Sequence, residues 1–377
     1  MLKSRLIELQ VDTEFEIDNA KIAESAAVSE DQIRNVILLH PMAFADGHLA
    51  IRSLISFHTQ LPSGRMNALF HVEIGSDGLR TFNLSDHLPR RTAANTPGSE
   101  YISVPMCGDV LYVGGTDNVF LLSRGITPEI RKVHIEQRVG DAPGFRLRPS
   151  PYAHFVSTDG SVAVPLQDAA HAKYLAVLTL DRDALTARWS AFVNEGAGLT
   201  VTDRKFSPPM LLASDLPQLV SADFTQVVEA LGYNPLFNEA LIRHGRVYVY
   251  TKGPSDSLKY GYPYSAIAEI GADGRVKSLP FVLDFASIGD GKKRGLDGRF
   301  TASGRYCVLN PIYKAADSWK GRQKLFDMEQ GELVDIHLPR GYAKYNVMDH
   351  AGGYFWAELR EPGKSHRFVR FRLQVAG

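Results

Sequence analysis

A glycine turn that leads directly into a β-rich run stands at residues 244–251, HGRVYVYT. Valine and tyrosine favour extended backbone, and glycine supplies the positive φ that a tight hairpin turn needs. The pattern occurs six times: DGHL at 46–49, GDVL at 108–111, DGSV at 159–162, HGRV at 244–247, SGRY at 303–306 and GGYF at 352–355. The recurrence of this turn along the whole chain is typical of repeat architectures, and it predicts a succession of similar β units.

Other short runs have the same character, because they are rich in β-branched and aromatic residues and end at Gly, Asp, Asn or Pro. A second turn follows four of the glycine turns, at residues 76–78, 181–183, 272–274 and 330–332. One turn, two strands, a second turn and a last strand make a four-stranded antiparallel meander. The sequence therefore predicts an all-β protein.

Six meanders in one chain resemble the β-propeller superfamily, in which four-stranded blades are arranged radially around a central channel. The resemblance covers nearly the whole chain and is one of architecture, since neither a WD dipeptide nor a kelch signature is present. It implies a six-bladed propeller over residues 35–377 with an insertion at 193–235. The predicted blades are 35–87, 100–135, 152–192, 236–284, 297–338 and 343–375.

The sixth predicted blade has room for only three strands, whereas strand-like residues 6–11 and 15–17 near the N-terminus belong to no blade. Pairing this N-terminal strand with the C-terminal blade would remove two exposed sheet edges at once. We therefore predict that residues 1–34 supply the strand that closes the ring. A helix is also predicted in the alanine-rich segment from Asn19 to Arg34, because Ser29 and Gln32 have the spacing of a capping box.

The insertion has the periodicity of a short amphipathic helix. Apolar residues recur at i, i+3, i+4 and i+7, with Ser221 as the expected N-cap and Gly232 as the expected C-cap. These apolar residues are Phe224, Val227, Val228 and Leu231. The insertion therefore predicts a helix that packs beside the blades.

Composition narrows the class of protein. The chain has 42 basic and 42 acidic residues, so no overall charge attracts nucleic acid or anionic membranes. Cys107 and Cys307 fit neither a disulfide framework nor a metal knuckle, and no apolar run is long enough for a signal peptide or a membrane span. These features favour the cytoplasm and predict neither a membrane nor a nucleic-acid partner.

The resemblance also implies where a site would lie, because the first strand of each blade lines the channel in a propeller. Counting back six or seven positions from each turn glycine gives His40, Tyr101, His154, Glu239 and Asn346, and a register slip of one or two residues adds Arg299. His40, Tyr101, His154 and Arg299 are the candidate catalytic residues, and His40, His154 and Glu239 are candidate ligands for a divalent metal. The alternative is that these residues are the ordinary polar lining of a water-filled channel.

The loops on the same face are rich in aromatic residues and cations, which binding sites use as rigid stacking planes and anion contacts. The candidate ligand-binding residues are Tyr260, Tyr262, Tyr313, Trp319, Lys320, Arg146 and Arg148. Tyrosines that shield the blade ends from water are the alternative. Acidic residues in the same loops partly cancel the positive charge.

Three functions remain open. The first is a binding module that presents its aromatic and basic loops to a protein or an anionic ligand, since HExxH and GxSxG motifs are absent. The second is a lyase or hydrolase that acts on a small sugar acid or lactone in the channel. There His40 or His154 would be the base or a metal ligand, Tyr101 the acid, and Arg299 the carboxylate clamp. The third is a scaffold whose insertion helix docks a partner or a second subunit.

Overall fold

The computed structural model describes residues 5–59, 66–88, 106–112, 119–124, 128–135, 146–147, 154–167, 173–194, 210–212, 219–220, 239–252, 264–270, 276–284, 296–311, 323–359 and 366–374. Most of these residues are in strands, which confirms the all-β class. The helix predicted around Phe224 lies outside the described residues. Within them, no helix is both long and apolar enough to cross a lipid bilayer.

The described part of the chain begins with a strand of 13 residues, β1 Arg5–Ile17, and the helix α1 Asn19–Ala26. A 3-10 turn, Glu30–Gln32, follows at the predicted capping box, where the Ser29 N–H donates to Oε1 of Gln32 at 3.1 Å. Unit 1 is an antiparallel sheet that ends at a second 3-10 turn, Leu84–Asp86. Its strands are β2 Ile33–Ala43, β3 Leu49–Phe57, β4 Asn67–Gly75 and β5 Gly78–Asn83.

Three further units follow along the chain. Unit 2 consists of β6 Met106–Cys107, β7 Val110–Tyr112, β8 Val119–Leu122 and β9 Ile130–Ile135. Unit 3 consists of β11 His154–Ser157, β12 Ser161–Gln167, β13 Lys173–Asp181 and β14 Thr186–Asn194, and the short strand β10 Arg146–Leu147 precedes it and pairs with β12. After β15 Met210–Leu212 and β16 Leu219–Val220, unit 4 consists of β17 Glu239–Arg243, β18 Arg246–Lys252, β19 Tyr264–Ile270 and β20 Val276–Asp284.

The last two units share the N-terminal strand. Unit 5 consists of β21 Leu296–Phe300, β22 Tyr306–Pro311, β23 Lys324–Asp327 and β24 Glu332–His337. Unit 6 consists of β25 Asn346–Ala351, β26 Tyr354–Leu359 and β27 His366–Leu373. The pairing predicted for the N-terminal strand is present, because β1 lies antiparallel to β27 and gives unit 6 a fourth strand. Residues Arg5 to Glu8 of β1 also pair in parallel with β24, which the sequence does not predict.

The six glycine turns form the first hairpin turn of each unit. Every one of them joins the first to the second strand of a unit, and all six glycines have positive φ, between 58° and 84°. Gly352 is additionally required by a close approach, since a Cβ on this residue would lie 2.0 Å from the carbonyl oxygen of Ala45. The turn of unit 6 is therefore packed directly against the turn of unit 1.

Neighbouring units are joined by contacts of several kinds. Leucine side chains of units 1 and 2 form one buried cluster. Parallel pairing joins the first strands of units 2 and 3 at Cys107 and Phe155, and those of units 3 and 4 from His154 and Glu239 onward. Units 4 and 5 share a core in which the rings of Phe281 and Phe326 are 5.2 Å apart.

The remaining contacts involve unit 6. Val347 and Phe355 of unit 6 belong to the same buried cluster as Tyr306 of unit 5. On its other side, Trp356 packs with Ile51 of unit 1, and both side chains are at most 1% exposed. Each unit thus contacts the next one along the chain, and the sixth contacts the first.

A buried ion pair fastens β1 to β27. The Arg370 guanidinium donates from Nε to Asp12 Oδ2 at 2.6 Å and from Nη1 to the Gly47 carbonyl at 2.7 Å, and Arg372 also pairs with Asp12. Burial of Asp12 opposes its ionisation, but the hydrogen bond and charge of Arg370 outweigh it and hold the pKa of this carboxyl below its usual value. Because Gly47 belongs to unit 1, this arginine joins both chain ends to the first unit.

We expect Arg370→Met to lower the free energy of unfolding by about 3 kcal/mol, because it leaves a buried carboxylate short of one partner. Urea titration gives the measurement. The matched control is Arg367→Met on the same strand, whose partner pair with Glu16 is half exposed, and which should cost less than about 1 kcal/mol. Equal losses in the two variants would show that the buried pair does not fasten the strand.

Candidate functional site

The candidate site consists of five polar residues on the first strands of units 3 to 6, here called the central residues. They are His154 on β11, Glu239 on β17, Asp297 and Arg299 on β21, and Asp349 on β25. Their positions follow from the strand register. His154 is paired directly with Glu239 in the parallel ladder, and β17 in turn contacts β21.

His154 and Glu239 form a hydrogen-bonded pair. The distance from Nδ1 of His154 to Oε2 of Glu239 is 3.1 Å, and the two side chains are 3% and 19% exposed. An ionised carboxylate can only accept a hydrogen bond, so Nδ1 must carry the proton. In the neutral imidazole, Nε2 is then the nitrogen with the lone pair, which is the state that a general base requires.

Tyr250 on β18 packs between units 4 and 5, in the same buried cluster as Leu296 and Phe300. Burial raises the pKa of its phenol well above the usual value, and the negative charges of Asp297 and Glu239 add to that effect, so the phenol remains a hydrogen-bond donor. It donates to the Leu296 carbonyl at 3.0 Å. A Cβ at Gly298 would lie 2.1 Å from the Tyr250 ring, so only glycine fits between Asp297 and Arg299.

Arg299 reaches from unit 5 toward units 6 and 1. Its Nη2 donates to the carbonyl of Pro41 in β2, and its charge acts on Asp349. The Nε–H is buried and has no hydrogen-bond acceptor among the described residues. Because an unpaired donor of a charged group is costly to bury, this guanidinium is suited to receiving an additional oxygen atom.

Asp349 joins three units through one carboxylate. Oδ2 accepts the Ala43 N–H of unit 1 at 2.7 Å, and Oδ1 accepts the Ala302 N–H of unit 5 at 2.7 Å and the His350 N–H at 2.8 Å. The residue is fully buried. Burial raises the pKa of Asp349 to about 6, although the Arg299 charge and the three N–H groups oppose the shift.

The pKa of His350 is shifted in the opposite direction to that of Asp349. Burial, together with the charge of Arg305, lowers the pKa of His350 to about 4, so the ring is neutral near pH 7. Its Nδ1 is 2.8 Å from the hydroxyl oxygen of Ser303, and its ring is edge-on to Tyr306. The strand β25 therefore carries two adjacent buried groups whose pKa values are shifted in opposite directions.

Two of the residues predicted from sequence, His154 and Glu239, are hydrogen-bonded to each other. Arg299 lies on β21 and contacts the Pro41 carbonyl, and Asn346 is exposed at the start of β25. The side chain of His40 lies outside the described residues, although its backbone is in β2. Tyr101 also lies outside them.

The predicted loop residues are not tested, because they fall outside the described part of the chain. Arg146 is placed only by its backbone, which lies in β10 and pairs with Gln167 of β12. The others are Arg148, Tyr260, Tyr262, Tyr313, Trp319 and Lys320. Their role in binding stays a prediction.

A metal site would need His40 in addition to His154 and Glu239. In the described ranges, no group of three His, Cys, Asp or Glu side chains is arranged to hold a metal ion. His154 and Glu239 alone supply two adjacent donors. The predicted three-ligand site thus depends on the His40 side chain.

Asp297 and Asp349 were not predicted from sequence. Asp349 follows the apolar residues Val347 and Met348 in the strand NVMDHA, residues 346–351, and a carboxylate at that position was the available signal. Asp297 precedes Arg299 by two residues and so shares its strand face, which the spacing alone indicates.

Comparison with known proteins assigns no family. No family model matches the chain, and no curated protein matches it. Among solved structures, a structure from a study of two prolyl endopeptidases has a TM-score of 0.36 and 14% identity, covering 94% of this chain and 46% of that one. Trypanosoma rangeli sialidase has a TM-score of 0.39 and 12% identity, covering 88% and 53%.

A third structure, described as a putative 6-phosphogluconolactonase from Bacteroides uniformis, has a TM-score of 0.29 and 14% identity, covering 84% of this chain and 93% of that one. The chain spans about half the length of the peptidase and sialidase structures that it matches. At these TM-scores the likenesses assign neither a family nor an activity.

The opposite shifts at Asp349 and His350 predict a specific pH dependence. Near pH 5 the folded pair holds one proton on Asp349, whereas the unfolded pair holds one on His350, so their contributions to stability compensate. His350→Gln removes the destabilisation that grows as pH falls below 6.5. Relative to the wild type, this variant should therefore gain about 2 kcal/mol of unfolding free energy between pH 6 and 4.5.

Asp349→Asn is the matched variant with the opposite expected slope. The raised pKa of Asp349 contributes stability that is present at low pH and lost as pH rises through about 6. The variant should therefore lose stability relative to the wild type as pH falls over the same interval. Urea titrations at four pH values measure both differences, and parallel curves for all three proteins would contradict the assignment.

Proposed function

We propose that this chain is a six-bladed β-propeller, closed by β1, that binds an anionic ligand at the centre of its ring. The support for the ring is the series of contacts from each unit to the next and from the sixth to the first. The support for the six blades is the matching turn, with a positive-φ glycine, at the start of every unit. In such a ring, the first strands face the central channel.

The observation that carries the ligand class is the state of Arg299. Arg299 carries a positive charge on β21, the first strand of unit 5, and its buried Nε–H has no acceptor among the described residues. A carboxylate oxygen would satisfy that donor, and the planar guanidinium is matched to a carboxylate in geometry. The predicted aromatic and basic loops would then border the ligand. A small anion is favoured over a protein surface, because the unpaired donor is itself buried.

We expect titration calorimetry with butyrate, D-gluconate and inorganic phosphate to detect binding of at least one carboxylate. Arg299→Met should weaken that binding at least tenfold, because it removes the guanidinium that would pair with the carboxylate. Arg246→Met is the control, since Arg246 is 62% exposed and pairs with Glu269 on unit 4. The proposal fails if no carboxylate binds or if the Arg299 variant binds as tightly as the control.

A second candidate function is favoured by the His154–Glu239 hydrogen bond. We propose, as the alternative, a lyase or hydrolase for a small sugar acid or lactone, with His154 as the base and Arg299 as the clamp for the carboxylate. Glu239 would hold the imidazole in the tautomer with Nε2 as acceptor. His154→Gln should then lower kcat/KM on such substrates by about 10²–10⁴-fold.

Assays of lactone hydrolysis and of elimination from galacturonate oligomers measure that effect. Glu239→Gln should act in the same direction and change the pH dependence of kcat, because the base would lose its orienting carboxylate. Wild-type protein that leaves both substrates unchanged would remove this alternative while leaving the binding proposal standing.

A further inference from the structure

We infer that the anion at Arg299 is bound together with one proton, which the buried carboxylate of Asp349 takes up, so that acid strengthens binding. The inference rests on the proposed function, because it describes how that same site would be regulated. The observation that carries it is an arrangement of groups. Arg299 of unit 5 and Asp349 of unit 6 are fastened to the same two segments of the chain.

The first shared segment is the end of β2. Nη2 of Arg299 donates to the Pro41 carbonyl, and Oδ2 of Asp349 accepts the Ala43 N–H at 2.7 Å. Alternate residues of a strand direct their backbone groups to the same edge, so this carbonyl and this N–H lie side by side. The guanidinium and the carboxylate therefore approach β2 at the same edge.

The second shared segment runs from Arg299 to Ala302. Oδ1 of Asp349 accepts the Ala302 N–H at 2.7 Å, three positions after Arg299 in the chain. Asp349 is 0% exposed, and charges in such surroundings are weakly screened. Burial raises the pKa of Asp349 to about 6, and the charge of Arg299 opposes this rise by favouring the ionised carboxylate.

A bound anion would cancel the effect of Arg299 on Asp349. Its negative charge at the guanidinium would offset the attraction that favours the ionised carboxylate, so the pKa of Asp349 would rise further. At about pH 6.5, Asp349 would be mostly ionised in the empty site and mostly protonated in the occupied site. Binding would thus take up a proton, and by linkage the affinity for the anion would rise as pH falls.

Imidazoles are the groups that could also take up a proton between about pH 6 and 7.5. His350 follows Asp349 on β25, but burial lowers the pKa of its ring to about 4, so it stays neutral. Trp356, the partner of Asp349 on β26, carries no charge. His40 on β2, whose side chain lies outside the described residues, and His154 on β11 therefore require control variants.

Titration calorimetry with butyrate and D-gluconate on the full chain tests the inference, in two buffers of different ionisation enthalpy. A carboxylate that binds should bind at least threefold more tightly at pH 6.0 than at pH 7.5, and should take up about 0.5 proton per site near pH 6.5. Asp349→Asn should abolish both the uptake and the pH dependence. His40→Gln and His154→Gln should retain both.

Infrared difference spectra of the wild-type protein keep the test independent of how well Asp349→Asn folds. Saturation with the carboxylate should produce the C=O band of a protonated carboxyl group. Labelling of aspartate with carbon-13 should shift that band, which distinguishes Asp349 from Glu239.

The inference would be overturned by binding without proton uptake, by a C=O band that the label does not shift, or by uptake that persists in Asp349→Asn. Loss of the uptake in His40→Gln or His154→Gln would overturn it as well. Each of these results leaves the anion proposal standing. If no carboxylate binds at either pH, the anion proposal and the inference both fail.

Discussion

The pairing of β1 with β27 is the interaction on which the arrangement of the other units depends. It supplies the fourth strand of unit 6 from the opposite end of the chain and brings Asp12 to Arg370, 358 positions away. Bringing such distant segments together costs conformational entropy, which the strand ladder and the buried ion pair must offset. Because Arg370 also binds the Gly47 carbonyl, the same contact fixes unit 6 against unit 1.

Two residues of the candidate site also contribute to the contacts that join unit 1 to units 5 and 6. Asp349 holds units 5, 6 and 1 together through backbone N–H groups, and Arg299 of unit 5 reaches the Pro41 carbonyl of unit 1. The buried carboxylate and the guanidinium also act on each other electrostatically. Any change in the way the ends of the chain meet would therefore alter the surroundings of the Arg299 charge.

Much of this organisation is predictable from local chemistry. The glycine turns were predictable because a tight hairpin needs positive φ. The positions of His154 and Glu239 on the first strands of their units were predictable because each residue stands six positions before its turn glycine. Asp349 was not, because its partners Ala43 and Ala302 are 306 and 47 positions away. The parallel pairing of Arg5 to Glu8 with β24 was missed for a similar reason, since it depends on where two finished units lie.

Amide hydrogen exchange tests the closing strand most directly, because exchange reports how each segment opens. If β1 closes the structure, amides of residues 9–17 that pair with β27 should exchange only through global unfolding, at the same rate as the paired amides of 366–373. Denaturant should accelerate both segments equally. Rapid exchange of residues 9–17 while the β26–β27 hairpin stays protected would show that the N-terminal strand is an independent tail, and the account of the site would then be wrong.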